Sequence, residues 1–254
     1  MRASVGNARA LALCLVLCSC STPSAQSLAD RDPWEKTNRD VFAFDVWVEH
    51  NIAEPVNDAY RAIIPKPARE GIHNATTNLH EPIVLANDVL QGDGDQAANT
   101  LGRIVVNSTI GIAGLIDVAA KIGMPHHSND FGITLGKAGV QEGSYLVLPL
   151  IGPMPPRDLV GSGVDGFFDP LSWARFNGKD TWMFARGALR IADTVDQTRD
   201  QFDSIERSSL DFYATTRNLY RQSRDARMPP PACIDAPASA RLRRLNSQIG
   251  ISRQ

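Results

Sequence analysis

The sequence predicts an all-α protein built from proline-interrupted helices joined by extended Pro/Gly-rich loops. Three observations lead there: apolar residues recur at helical spacing, proline falls repeatedly where such stretches meet, and no regular strand-helix alternation runs through the 254 residues. A composition of 43% hydrophobic and 21% charged residues, with a formal net charge of −2, excludes collagen, coiled coil and wholesale disorder. The near-neutral balance also argues against nucleic acid as a partner, because domains that neutralise many phosphates carry a basic excess. Four cysteines are too few to suggest a disulfide framework.

The N-terminus reads as a targeting segment. Arg2 and Arg9 precede an apolar run from Ala10 to Leu17, about half of the roughly 20 residues that a membrane-crossing helix requires. Leu17-Cys18-Ser19-Cys20 matches the bacterial lipobox, in which signal peptidase II cuts before a cysteine that receives lipid. Cys20 is the expected lipidation site because small Ser19 precedes it, whereas bulky Leu17 precedes Cys18. Several acyl chains on one cysteine attach a protein stably to a membrane; the alternative is a secreted protein cut near Ala25. Ser21, where Asp would signal inner-membrane retention, favours the outer membrane. The expected organisation is a signal peptide at 1–19, a lipidated flexible tether at 20–31, a helical domain at 32–227 and a Pro-rich, basic tail at 228–254. Loss of residues 1–19 removes two arginines and no acid, leaving a net charge of −4. Cys233 then has no intramolecular disulfide partner.

The helical domain opens at Asp32-Pro33-Trp34, with Asp32 the expected N-cap and Pro33 in the first turn. The stretch to about Ile52 carries Trp34, Val41, Phe42, Phe44, Val46, Trp47 and Val48. It is apolar most of the way round, which fits either burial in protein or contact with lipid. Proline predicts breaks at Glu54-Pro55, Ile64-Pro65-Lys66-Pro67 and Glu81-Pro82, giving helices near 55–63, 67–79 and 82–91. After the turn at Gly92-Asp93-Gly94, a longer helix starts near Asp95, with Ala97, Ala98, Leu101, Ile104, Val105 and Ile112 at helical spacing. From Ile104 to Ile116 the chain is uncharged for 13 residues, enough to enter one leaflet and too few to cross both. Tyr145 to Ile151 reads as an extended apolar loop against lipid or core, since Pro149 opposes a central strand. Gly161 to Gly166 reads as a hinge, and residues 180–224 as two helices. The Pro-rich stretch from Met228 to Pro237 ends the domain, and the tail with Arg241, Arg243 and Arg244 is either solvated or membrane-touching.

Catalytic and cofactor motifs do not survive their context. Gly161-Ser162-Gly163-Val164-Asp165-Gly166 matches the dinucleotide fingerprint by letter, but prolines lie just upstream and Pro170 follows four residues later, where the motif needs a strand before and a helix after. The chain has no Walker sequence, no Gly-x-Ser-x-Gly and no His-Glu-x-x-His. His126-His127 with Asp130 lacks a further His or Cys at ligand spacing and reads as an exposed loop; His50, His73 and His80 are isolated. We therefore expect no enzyme, no metal and no cofactor, although a dyad assembled from distant residues leaves no local signature.

Ordered motifs run from about residue 30 to 225. They include Asp32-Pro33-Trp34-Glu35, Asn38-Arg39, Phe42-x-Phe44, Ala59-Tyr60-Arg61, Pro65-Lys66-Pro67-Ala68-Arg69 and Asn78-Leu79-His80-Glu81-Pro82. Farther on come Asn87-Asp88-Val89-Leu90-Gln91-Gly92, Val106-Asn107-Ser108-Thr109-Ile110-Gly111, Asp130-Phe131-Gly132-x-Thr134-Leu135-Gly136, Gly143-x-Tyr145-Leu146-Val147-Leu148-Pro149 and Gly152-Pro153-x-x-x-Arg157-Asp158. In these the chain resembles the MlaA (VacJ) family of outer-membrane lipoproteins. The resemblance implies a ring-shaped bundle of kinked helices in the inner leaflet of the outer membrane, with an amphipathic channel. Phospholipid misplaced in the outer leaflet would pass through it to the periplasmic carrier MlaC, with trimeric porins holding the ring in several bacteria. By motif position, Trp34, Phe42, Phe44 and Trp47 are expected to embed in the membrane, and Asn107, Ser108 and Thr109 to line the channel. The rival readings are a lipoprotein phospholipase or esterase and a non-catalytic envelope-bridging lipoprotein.

Overall fold

Side-chain caps and long-range ion pairs set the helices of the computed structural model, which describes residues 26–27 and 30–228. Cys20, Cys233 and most of the expected tether and tail lie outside the described residues. Helix α1 (Glu35–Val48) passes through one π-helical turn (Glu49–Ala53) directly into α2 (Glu54–Ile63). Pro55, the second residue of α2, directly follows the π-helical turn and has no N–H to donate to it. Asp32 is not the N-cap: Trp34 holds that position without a side-chain cap. The fully buried Asp32 carboxylate instead accepts from Asn38 Nδ2 at 2.8 Å, Tyr213 OH at 2.5 Å and Arg217 Nη1 at 2.9 Å. A distant charge-assisted network has taken the carboxylate that the local pattern assigned to the helix end.

The expected helices near 67–79 and 82–91 are one helix, α3 (Lys66–Leu90), with Pro82 inside it. An interior proline costs about 3 kcal/mol through its lost hydrogen bond and its clash with the preceding turn. Burial of Glu81, Ile83 and Val84 on either side of it, with Glu81 paired at 2.7 Å to Arg103 of α4 (Gly94–Thr109), opposes that cost. Helix α4 begins where predicted because Asp93 accepts from the Gln96 amide. The uncharged run stays helical only to Thr109. Beyond it Ile112 and Ala113 adopt φ of 55° and 56°, a left-handed conformation that penalises β-branched Ile112 in particular. Asp117 then caps α5 (Val118–Lys121), and Asp130 caps α6 (Phe131–Lys137).

The segment around Pro149 is the extended loop that its composition predicts, closed by a minimal antiparallel pair, β1 (Val147–Leu148) and β2 (Gly152–Pro153). Tyr145 and Val147 enter the core, while Leu150 and Ile151 are exposed. The glycine-rich stretch is not a hinge, because α7 (Pro156–Phe168) contains all of it. A Cβ on Gly161 would stand 2.4 Å from the Gly132 amide nitrogen, so this glycine lets α6 and α7 touch through their backbones. Helix α8 (Pro170–Trp173) leads to the two expected C-terminal helices, α9 (Lys179–Ser208) and α10 (Phe212–Asp225).

Side-chain contacts close a circuit of elements. Arg69 and His73 of α3 reach Asp196 and Asp193 of α9; α10 returns through Arg224 to Asp130 at the start of α6. Helix α6 lies against α7, and Asp165 of α7 accepts from Asn87 of α3 at 2.8 Å. Buried apolar side chains are few among the described residues: Tyr145, Val147 and Tyr213 form a cluster with Val41, Phe42 and Tyr220 packed on it, while Ile83, Val84, Ala119 and Ile133 are buried as well.

Candidate functional site

Polarity is inverted relative to a water-soluble globule. Among the described residues, buried side chains are more often polar or charged than apolar, while large apolar residues cover the outside of nearly every helix. Trp47 is 54% exposed and Phe184 79%, with Ile63, Leu90, Val105, Ile110, Ile112, Phe167 and Trp173 exposed as well. Apolar surface of this extent requires an apolar surrounding. Among the described residues no helix is long and apolar enough to cross a membrane.

The interior is held by linked ion pairs. Arg103, 2% exposed, bonds Glu81 at 2.7 Å, Asp117 at 3.1 Å and the Met124 carbonyl at 2.8 Å. Asp158 receives Arg157 Nε at 3.0 Å, Arg224 Nη2 at 2.8 Å and the Tyr220 hydroxyl. Burial alone would raise the Asp158 carboxyl, but those three donors outweigh it and hold it below the usual carboxylate range. Asp117 is lowered in the same way: the Ala120 amide, Asn107 and Arg103 outweigh its burial. Two of the three histidines read as isolated are engaged: His50 bridges Glu54 and Glu206, and His73 meets Asp193. His126 and His127, read as an exposed loop, meet the buried Glu81 and Asp88. Among the described residues no group of three or more His, Cys, Asp or Glu could hold a metal.

The sequence and the fold have known counterparts. The pattern of the MlaA lipoprotein family matches residues 30–227. The chain belongs to the MlaA lipoprotein family. It is 37% identical over 219 residues to the intermembrane phospholipid transport system lipoprotein MlaA of Escherichia coli (strain K12), covering 83% of each chain. The MlaA of Haemophilus influenzae is 28% identical over 215 residues, covering 84% of this chain and 85% of that one. A solved structure concerned with maintenance of bacterial outer membrane lipid asymmetry superposes with a TM-score of 0.68 at 34% identity, covering 77% of this chain and 98% of the other.

In this MlaA family member the sequence-assigned residues separate. Trp34, Phe44 and Trp47 lie exposed on or beside α1, with Phe44 and Trp47 stacked at 6.3 Å. Phe42 turns inward, its ring 5.1 Å from Phe212 and 5.6 Å from Tyr213. Its assignment to membrane embedding is therefore corrected, since the residue lies about 200° around the helix from Phe44. Asn107 is 3% exposed; its amide donates to Asp117 and its oxygen accepts from the Ala119 amide. Those bonds brace the turn after α4 and leave its side chain no free face for a channel. Ser108 and Thr109 remain exposed, Ser108 Oγ accepting from Asn78 and Thr109 donating to the Val105 carbonyl.

The positions that local reasoning missed are on α9. Arg186 and Arg190 stand one turn apart, and the stripe continues to Asp193, which is buried against α3. Burial pulls the His80 imidazole of α3 down to about 4, with Arg190 and Arg186 adding repulsion. A folded-state value below the ordinary 6.5 means that the unfolded chain takes up the proton first. The stability linked to neutral His80 is therefore complete above about pH 6.5 and lost as pH falls toward 4. Chemical unfolding in detergent micelles between those values is expected to show this acid limb in the wild type and a flatter one in His80→Leu. Equal slopes would remove His80 as its cause.

Proposed function

We propose that the protein removes phospholipid from the outer leaflet of the bacterial outer membrane and passes it to a periplasmic carrier, so maintaining lipid asymmetry. The inverted polarity carries this reading. Acyl tails need continuous apolar surface, whereas a headgroup must keep polar company because burying it unpaired is costly. An apolar shell around a charged interior meets both needs, and the circuit of helix contacts supports a ring around a passage. Lipid on Cys20 and the aromatic side chains of Trp34, Phe44 and Trp47 would seat the protein in the inner leaflet, facing the periplasm. MlaC is the carrier that the family reading implies, and trimeric porins the partner that holds the ring. The phospholipid transport named for the Escherichia coli relative supports the same substrate.

The test compares wild type with Cys20→Ala for surface-exposed phospholipid in cells, and identifies lipid copurifying with the wild type by mass spectrometry. Intact phospholipid on the protein, loss of most of the variant from the outer membrane and more surface phospholipid are expected. Lysophospholipid and free fatty acid would establish the hydrolase reading instead. Absence of lipid with no surface change would leave only an envelope-bridging role.

A further inference from the structure

Arg190, exposed on α9, differs from the buried and half-buried arginines. Arg103, Arg157, Arg186, Arg217 and Arg224 each meet a carboxylate, whereas Arg190 has no ion pair among the described residues, although its stripe of α9 is the one that faces α3. On that stripe Arg186 Nη1 is 2.5 Å from Asp169 and its Nη2 is 3.5 Å from the Leu79 carbonyl. One turn beyond Arg190, Asp193 binds His73 and Thr76. The opposite side of α9 presents the exposed Phe184 and Ile191.

Arg190 itself is solvent-accessible. Even so, surrounding protein pulls its guanidinium below the ordinary arginine value, helped by Arg186 and opposed by Asp169. An accessible cation on the stripe that faces α3, one turn from Arg186 and lacking a counter-ion among the described residues, offers a position that favours an anion. Near it the His80 Nδ1 is buried without a hydrogen-bond partner among the described residues.

From this arrangement we infer that Arg190, with Arg186 beside it, is a waypoint for the phosphodiester of a lipid headgroup inside the passage. The inference rests on the transport reading for the identity of the anion. The guanidinium is suited to the role because its planar fork can give two parallel hydrogen bonds to phosphate oxygens, which lysine cannot reproduce. A singly charged diester would supply the missing counter-ion while its tails follow apolar surface. Arg186 is a positioning residue here, since Asp169 already holds it.

The full-length lipoprotein in detergent micelles is titrated with dihexanoyl-phosphatidylglycerol, with dihexanoylglycerol, which lacks phosphate, and with inorganic phosphate. A charged hydrogen bond is worth about 1.5–3 kcal/mol, so Arg190→Gln is expected to weaken the phosphatidylglycerol probe about tenfold or more. Arg190→Lys should restore part of that loss, and binding of dihexanoylglycerol should not change. The melting temperature of Arg190→Gln should match wild type, because no ion pair is lost, whereas Arg186→Gln should melt lower. Unchanged affinity in Arg190→Gln, or an equal loss for dihexanoylglycerol, would overturn the assignment. Inorganic phosphate binding as tightly as the diester would also overturn it, in favour of a free-anion site. A tenfold loss in the titration with normal surface phospholipid in cells would uphold the site and count against transport.

Discussion

Arg103→Ala is expected to destabilise the protein by about 3–5 kcal/mol, the usual cost of removing one member of a buried ion-pair network. The loss is large because of what remains: Glu81 is 0% exposed and would retain only His126, 3.2 Å from the same Oε1. Asp117 would lose a partner as well, loosening the turn that it builds with Asn107 and the Ala120 amide. Chemical unfolding in micelles measures the effect. The double variant Arg103→Met with Glu81→Gln provides the control, since replacing both partners removes the stranded charge and should recover most of the loss. A drop below about 1 kcal/mol in the single variant would mean that water reaches Glu81 and that the interior there is wet.

The second large effect concerns the membrane face. With Cys20→Ala removing the lipid anchor, Phe44→Glu and Trp47→Glu together are expected to abolish flotation with vesicles of phosphatidylethanolamine and phosphatidylglycerol. Each large apolar side chain contributes about 1.5–3 kcal/mol on leaving water, so the pair accounts for at least a hundredfold in partitioning. Phe42→Ala is the internal contrast: it should lower stability through its lost contacts with Phe212 and Tyr213 and leave flotation intact. Equal flotation losses for Phe42→Ala and the double variant would mean that α1 does not present the side seen here. Full flotation of the double variant would move the membrane contact to other exposed groups, such as Phe167, Trp173 and Phe184.

Those contrasts depend on how a nearly all-apolar helix chooses its outward side. The spacing of residues 34–52 could show that α1 is helical and poor in polar surface, but not which aromatic faces lipid. Phe42 is withdrawn by rings on α10, and Arg39 is held to Asp211, 172 positions away. The same limit explains Asn107 and Asp32, whose chemistry suggested a channel lining and a cap until distant partners engaged them. Arg190 gave no motif at all. An isolated arginine on a long polar helix becomes informative only once every neighbouring carboxylate is seen to be engaged elsewhere.

Features whose cause is local were legible. The Gly92-Asp93-Gly94 turn marks the start of α4, and its cause is local, since Asp93 satisfies the Gln96 amide three residues ahead; the caps at Asp117 and Asp130 work the same way but were not read from the sequence. The two C-terminal helices followed from their periodicity, and the Tyr145–Ile151 loop from Pro149. Tertiary structure decided the rest. It carried α3 through Pro82, since burial beside Glu81 outweighs one lost backbone bond, and it kept Gly161 helical, since a neighbouring backbone occupies the space of its Cβ. It also set the inversion of polarity, because spacing along a chain reports how apolar and polar residues alternate, while only the placement of distant helices determines which of them is enclosed.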